Sequence, residues 1–240
     1  MRRALMSITA AIAALLVSPA VGMASGGGSI AAAPLLPLDG SLQTGGGMRG
    51  EFWRMQLFGG DKVTIDMELS GGEYPADLFL IAPNVTDFTL QDIHATLDLS
   101  ARIGKSQNVM QAPSSGLWTL DICQQTVGHF CSPYGGEYFG SQAEPYSFTA
   151  TVAHAVSLQV SAPSLARRRS TATVQARVSS PAGTPQGACL IQGAQAPLAG
   201  GQCSRRIRLG RGTRQTIHVS FVPDDSWQAA SAHRTIRLVR

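Results

Sequence analysis

The densest run of chemistry-bearing side chains is "SRRIRLGRGTR", which places Arg205, Arg206, Arg208, Arg211 and Arg214 within ten residues; "ARRRS" adds Arg167, Arg168 and Arg169. A guanidinium is permanently charged and presents a planar fork that matches carboxylate and phosphate oxygens two at a time. In a strand, Ile207 and Leu209 share the inward face, which leaves Arg206 and Arg208 side by side on the outward one. Arg167, Arg168, Arg169, Arg206, Arg208, Arg211 and Arg214 are therefore the candidate residues for binding a polyanion. Teichoic or acidic polysaccharide, lipid head groups and extracellular nucleic acid all fit that description. Little aromatic interleaving accompanies them, which argues against nucleic acid as a specific ligand. Two further readings stand beside this one. The arginines form a solvated face in a chain that uses 17 Arg to 2 Lys, or the basic segment docks on an acidic one in the same chain.

The four cysteines fall in two local pairs, Cys123 with Cys131 and Cys189 with Cys203. In an exported chain such pairs are expected as disulfides. His129, between Cys123 and Cys131, offers a metal site as the rival reading. No cofactor is expected, with calcium as the one ion the chain has the chemistry to take. Calcium wants several hard oxygen ligands, and Asp61, Asp66, Glu68, Glu73 and Asp77 lie close in sequence. Asp66 and Glu68 share a strand face where solvent suffices, so Asp61 and Asp77 are the calcium candidates. Catalytic patterns are missing: there is no G-x-S-x-G, no H-E-x-x-H and no phosphate-binding G-x-x-x-x-G-K. "QDIHATLDLS" holds Asp92, His94 and Ser100, which reads as an exposed loop rather than a triad. The chain is thus expected to be non-catalytic.

These residues must be held by something, and the charge distribution says where the pieces divide. Residues 25–154 carry 5 Lys/Arg against 13 Asp/Glu, whereas 155–240 carry 12 Arg against 2 Asp. The start, "MRRALMSITAAIAALLVSPAVGMAS", has a basic end, an apolar core and a small-x-small cleavage site, so residues 1–24 read as a signal peptide. The apolar run falls short of the roughly 20 residues a membrane span requires, and no span is expected once the signal is removed. "GGGSIAAAPLLP" makes residues 25–39 a flexible leader.

From "EFWRMQLF" onward the hydrophobic period is two. Val63, Ile65, Met67 and Leu69 share a face in "KVTIDMEL", as do Trp118, Leu120 and Ile122 in "LWTLDIC" and Tyr146, Phe148, Ala150 and Val152 in "PYSFTATV". "DLFLIAP" is apolar on both faces and is expected in the centre of a sheet. In "TDFTLQDIHATLDLSARIGKSQNVM" the pattern is less clear: "TLDLSAR" alternates, and the polar start suggests a long surface loop. After residue 155 short strands recur in "VSLQVSAPS", "TATVQARVSS", "GACLIQG", "CSRRIRLG", "QTIHVSFVPDD" and "HRTIRLVR", the spacing of a sandwich. The fold class is all-β: two tandem β-sandwich domains, jelly-roll-like then Ig-like, after a signal peptide.

Two resemblances sharpen this layout. "GEFWRMQLFGGDKVTIDMEL", "ADLFLIAPN", "QAPSSGLWTLDI" and "EPYSFTATV", in that order, resemble the bacterial pre-peptidase C-terminal domain over residues 40–153. Gly60, Asp61, Asp77, Leu78, Pro83, Gly116, Trp118 and Tyr146 carry the likeness. "VSSPAGTPQGACLI" and "FVPDDSWQAASA" resemble a bacterial Ig-like domain repeat over residues 156–240, with Phe221, Asp225, Trp227 and Ser231 at its closing positions. Neither family implies catalysis. Together they imply a secreted or periplasmic bacterial protein that binds or adheres, its partner an extracellular polymer or cell-surface component. The alternative is a structural or accessory module for a separately encoded exported enzyme.

Overall fold

The structure is a computed structural model and describes residues 26, 30–45, 51–69, 76–83, 85, 104–124 and 145–240. These residues form fifteen strands and no helix. Strands β1 (Asp39–Gly45), β2 (Glu51–Leu57), β3 (Lys62–Leu69), β4 (Ala76–Ile81), β5 (Gly104–Gln111), β6 (Gly116–Gln124) and β7 (Tyr146–Ala153) make the first half. One sheet runs β1-β7-β3-β5 and the other β2-β6-β4. Their inner faces are the alternating positions: Trp53, Met55 and Leu57 with Trp118, Leu120 and Ile122 on one sheet, and Val63, Ile65, Met67, Phe148 and Ala150 on the other. Trp53 meets Phe148 edge-to-face across the gap, ring centres 5.5 Å apart. Two sheets with one shared apolar core are a sandwich.

Three details depart from the sequence reading. Strand β4, expected at a sheet centre, pairs only with β6 among the described residues, and β6 is the central strand. Strand β5 lies where a surface loop was expected. Its inward positions include Ser106 and Asn108, which break the apolar alternation, so the full ladder from Lys62↔Gln111 to Leu69↔Gly104 sets it instead. Residues 33–36, part of the segment read as a leader, pack on the first sandwich. Leu36 N–H donates to the Arg54 carbonyl and Arg54 N–H to the Pro34 carbonyl, both at 2.7 Å, and the Leu36 side chain joins the core.

The second half contains β8 (Ser157–Ser161), β9 (Leu165–Arg167), β10 (Thr171–Ser179), β11 (Gly187–Ile191), β12 (Ala194–Pro197), β13 (Gln202–Arg208), β14 (Arg214–Pro223) and β15 (Ala230–Val239). Sheet β13-β10-β8 faces sheet β12-β11-β14-β15-β9. With β8, β10 and β13 as A, B and E, and β11, β12, β14 and β15 as C, C′, F and G, this is an immunoglobulin-type order. A second, separate core fills it, built from Val174, Val178, Ile191, Ile217, Val219, Phe221, Ile236 and Leu238. The Cys189–Cys203 disulfide joins β11 to β13, one strand from each sheet, and both cysteines are buried. No helix among the described residues is long and apolar enough to cross a membrane.

Among the described residues the halves meet around a buried carboxylate. Asp61 is fully buried. Its Oδ2 accepts the Phe58 N–H at 2.9 Å and lies 2.9 Å from His154 Nδ1, while its Oδ1 accepts the Ala155 N–H at 2.9 Å. The His154 ring packs 5.3 Å from Trp227 and 6.1 Å from Phe58. His154 N–H donates to the Ser226 carbonyl, and Gln228 N–H donates to the His154 carbonyl. The Gln228 side-chain amide reaches back to the Gly60 and Ala153 carbonyls, each at 2.8 Å. Gly60 holds a φ of +90° here, a backbone state open to glycine at little cost. A Cβ at Gly60 would sit 2.9 Å from Ala155 Cβ.

Candidate polyanion-binding site

Strand β13 lays its arginines out as its alternation requires. Ile207 and Leu209 are buried, and Arg206 and Arg208 are exposed on the outer face. Across the ladder Arg208 faces Thr171 and Arg206 faces Thr173, both neutral. The chain then turns through Gly210–Thr213 into β14. Arg211 and Arg214 in that stretch are exposed.

The second basic run is brought to the same end by backbone hydrogen bonds. Arg169 N–H donates to the Gly210 carbonyl at 3.1 Å and Leu209 N–H to the Ser170 carbonyl at 2.8 Å. Arg169 takes a φ of +59°, a left-handed turn residue that carries the chain from β9 into β10. Strand β9 runs parallel to β15, with Arg167 beside Val239. Arg167, Arg169, Arg208, Arg211 and Arg214 thus converge on one end of the second sandwich, with Arg206 one step along β13. Arg168 is the exception among the seven. It is half-buried, and its Nε is buried without a hydrogen-bond partner.

Two arginines stand outside the basic runs, Arg237 at this end and Arg177 farther along β10 on the same face as Arg206 and Arg208. Arg237 on β15 lies directly across from Arg214 on β14, and both are exposed. Arg177 lies on the outer face of β10, across from Gln202. Each stands apart from the basic runs in sequence, so clustering along the chain could not find them; strand pairing does. Among the described residues the ion pairs are Glu68–Lys105 and Asp61–His154, and none involves an arginine of this end. The contacts between the halves described above use the Ser226–Gln228 segment, just past Pro223. Arg214 and Pro223 are the two ends of β14, a strand of ten residues, so roughly 30 Å separates the basic end from the junction.

The carboxylates have other occupations. Asp61, a calcium candidate, has both oxygens engaged by the three groups at the junction. Asp66 accepts a hydrogen bond from the Gln107 amide at 2.8 Å, and Glu68 lies 3.7 Å from Lys105 on an exposed face. No group of three metal-ligating side chains comes together among the described residues. The Asp61–His154 pair has the first two members of a nucleophilic triad, yet no described hydroxyl or thiol hydrogen-bonds the imidazole. The side chains of Asp77 and Cys123, together with Cys131, His129, Asp92, His94, Ser100 and residues 1–24, lie outside what is described.

Two buried titratable groups in the first sandwich have perturbed affinities for protons. Asp121 on β6 is 3% exposed with its Oδ1 unpaired, and burial pushes its carboxyl up to about 7. It sits on the opposite face of β6 from Trp118, Leu120 and Ile122, the face a period-two reading assigns to solvent. Tyr146 donates its hydroxyl to Glu51 Oε2 at 2.6 Å. Burial first, and the neighbouring Glu51 second, hold its proton far above the ordinary tyrosine range.

No protein-family model matches the chain, and no curated protein matches it. Among solved structures it is similar to a polysaccharide lyase at 11% identity and a TM-score of 0.25, over 80% of this chain and 26% of that one. This chain therefore spans about a quarter of that protein's length. A likeness so distant carries no argument about what this chain does.

Proposed function

We propose that this chain is an exported, non-catalytic binding or adhesion protein that engages anionic polymers through the basic end of its second sandwich. In this reading a pre-peptidase-like sandwich over 40–153 supports an Ig-like one over 156–240, and the protein works in the periplasm or outside the cell. One observation carries it: Arg214 and Arg237 face each other across a ladder, at the same end of the sandwich as Arg208, Arg211 and Arg169, and among the described residues no carboxylate is paired to them. Like charges directly opposite on a sheet are destabilising. A polymer bearing carboxylates or phosphates relieves that repulsion and gains charge-assisted hydrogen bonds. The site also lies at the far end of β14 from the described contacts with the acidic half.

The test is retention of the purified protein on an immobilised polyuronate, repeated with Arg208→Ala/Arg211→Ala/Arg214→Ala. Retention should fall steeply between about 10 mM and about 1 M salt, over which the screening length drops from about 30 Å to about 3 Å. Exposed ionic contacts are worth roughly 0.2–1 kcal/mol each, so the triple variant should bind about tenfold more weakly. Absence of retention at low salt, or a triple variant that binds as well as the parent, refutes the reading.

A further inference from the structure

The outer face of sheet β13-β10-β8 continues from the basic end toward the junction, and its composition is unusual for its uniformity. Reading along the ladders, Thr171 pairs with Arg208 and Thr173 with Arg206. Next come Ser161–Gln175–Ser204 and Gln159–Arg177–Gln202. Every outward position in these four rows is an arginine, an amide or a hydroxyl. Neither an acidic nor an aromatic side chain interrupts them. The last two rows floor a groove of about 690 Å³, walled on one side by Pro197 and Ala199.

Successive outward rows on a strand are about 6.6 Å apart, so the track from Arg208 to Arg177 is about 20 Å long. Its cations are spaced unevenly: two adjacent rows are charged, the third is neutral, and the fourth carries Arg177. A uniformly charged chain such as polyphosphate would leave its charges opposite the Ser161–Gln175–Ser204 row without counter-charges. Nucleic acid would in addition find no aromatic platform for its bases. A chain that intersperses carboxylate-bearing sugars with neutral ones meets guanidinium forks at its charges and amide or hydroxyl groups at its hydroxyls.

We propose that this face is a binding track for a linear polysaccharide with uronate units separated by neutral sugars, running from Arg208 along β13 and β10 into the groove at Gln175, Arg177 and Gln202. The assignment rests on the polyanion reading above and adds the ligand class and the path. Arg177 and the glutamines select the sugar; the arginines at the end supply general attraction.

The test compares binding of the purified protein to hyaluronate, in which uronate alternates with a neutral amino sugar, against polyphosphate and duplex DNA at matched charge and ionic strength. The variants are Gln175→Ala/Gln202→Ala, which leaves the charge unchanged, and Arg177→Gln. All three positions are exposed, and circular dichroism checks that the fold persists. Loss of two neutral hydrogen bonds should weaken hyaluronate binding about tenfold while polyphosphate binding stays within about twofold. Arg177→Gln should likewise weaken hyaluronate more than polyphosphate. If the variants weaken both polymers alike, or neither, or if polyphosphate or DNA binds as tightly as hyaluronate, the track is overturned while the polyanion reading stands. If none of the three binds at low salt, the polyanion reading itself has failed.

Discussion

Replacing Asp61 by alanine tests how the two sandwiches are joined. The side chain is fully buried and satisfies three donors: the backbone N–H groups of Phe58 and Ala155, and His154 Nδ1. Removing it strands two backbone donors, each costing about 1–3 kcal/mol when left unpaired in the interior. The His154 ring, about a fifth exposed, can recover part of its loss from water. The sum is a destabilisation of about 3–5 kcal/mol, at the upper end for a point substitution. Asp61→Asn should cost less, about 2–3 kcal/mol, because its amide oxygen can serve one side of the site while its NH₂ opposes a backbone N–H on the other. His154→Ala removes one donor and leaves the carboxylate two, so about 1–2 kcal/mol is expected. Urea unfolding followed by tryptophan fluorescence reads the series, since Trp53 and Trp118 lie in the first core and Trp227 at the junction. With an m-value of roughly 2 kcal/mol/M, the alanine variant should lose about 2 M in midpoint. An Asp61→Ala midpoint close to the parent's would refute the argument. So would a His154→Ala loss equal to it, since the pairing with His154 would then outweigh the two backbone donors.

Asp121 gives a pH signature. It ionises near its ordinary 3.8 in the unfolded chain and near 7 in the folded one. Between those values the folded state holds more protons, so this residue lowers stability as pH rises from about 4 to about 7 and has no further effect above. The window of about three units corresponds to roughly 4 kcal/mol. Asp121→Asn should abolish that slope, leaving stability unchanged at about pH 4 and raised at about pH 8; urea midpoints across the range check it, and parallel profiles would refute it. The Cys189–Cys203 disulfide closes a separation of 14 residues, so its reduction should cost the second sandwich about 3 kcal/mol, read as a lowered melting temperature in dithiothreitol.

The strands that could be read from the sequence are those whose inward positions are uniformly apolar. Val63, Ile65, Met67 and Leu69 on β3 announce their face, as do Ile217, Val219 and Phe221 on β14, and each is buried as its alternation requires. Strand β5 could not be read, because Ser106 and Asn108 occupy inward positions and only the ladder to β3 reveals them. Strands β9 and β12, three and four residues long, are too short for any period to show. The outward orientation of Arg206 and Arg208 was legible for the same reason as β3: Ile207 and Leu209 between and beside them claim the core. Arg237 was not, since only strand pairing across tens of residues sets it opposite Arg214, and Arg177 comes onto the face of Arg206 and Arg208 only through the β10–β13 ladder.

The residues that carried the two family resemblances show the division between what sequence and structure supply. Gly60 and Asp61 carry the first resemblance and Trp227 the second, each within its own half of the sequence. In the folded chain they meet around His154. By itself the sequence determined the all-β class, the inward and outward faces of the regular strands, and the separation of acidic from basic charge. Those are consequences of a two-residue period and of counting, which need no partner strand. Which arginines stand together, which carboxylates are buried, and where the sandwiches touch were decided by tertiary structure alone. Those outcomes depend on which strands pair and in what register, and register brings together residues that local patterning treats as unrelated.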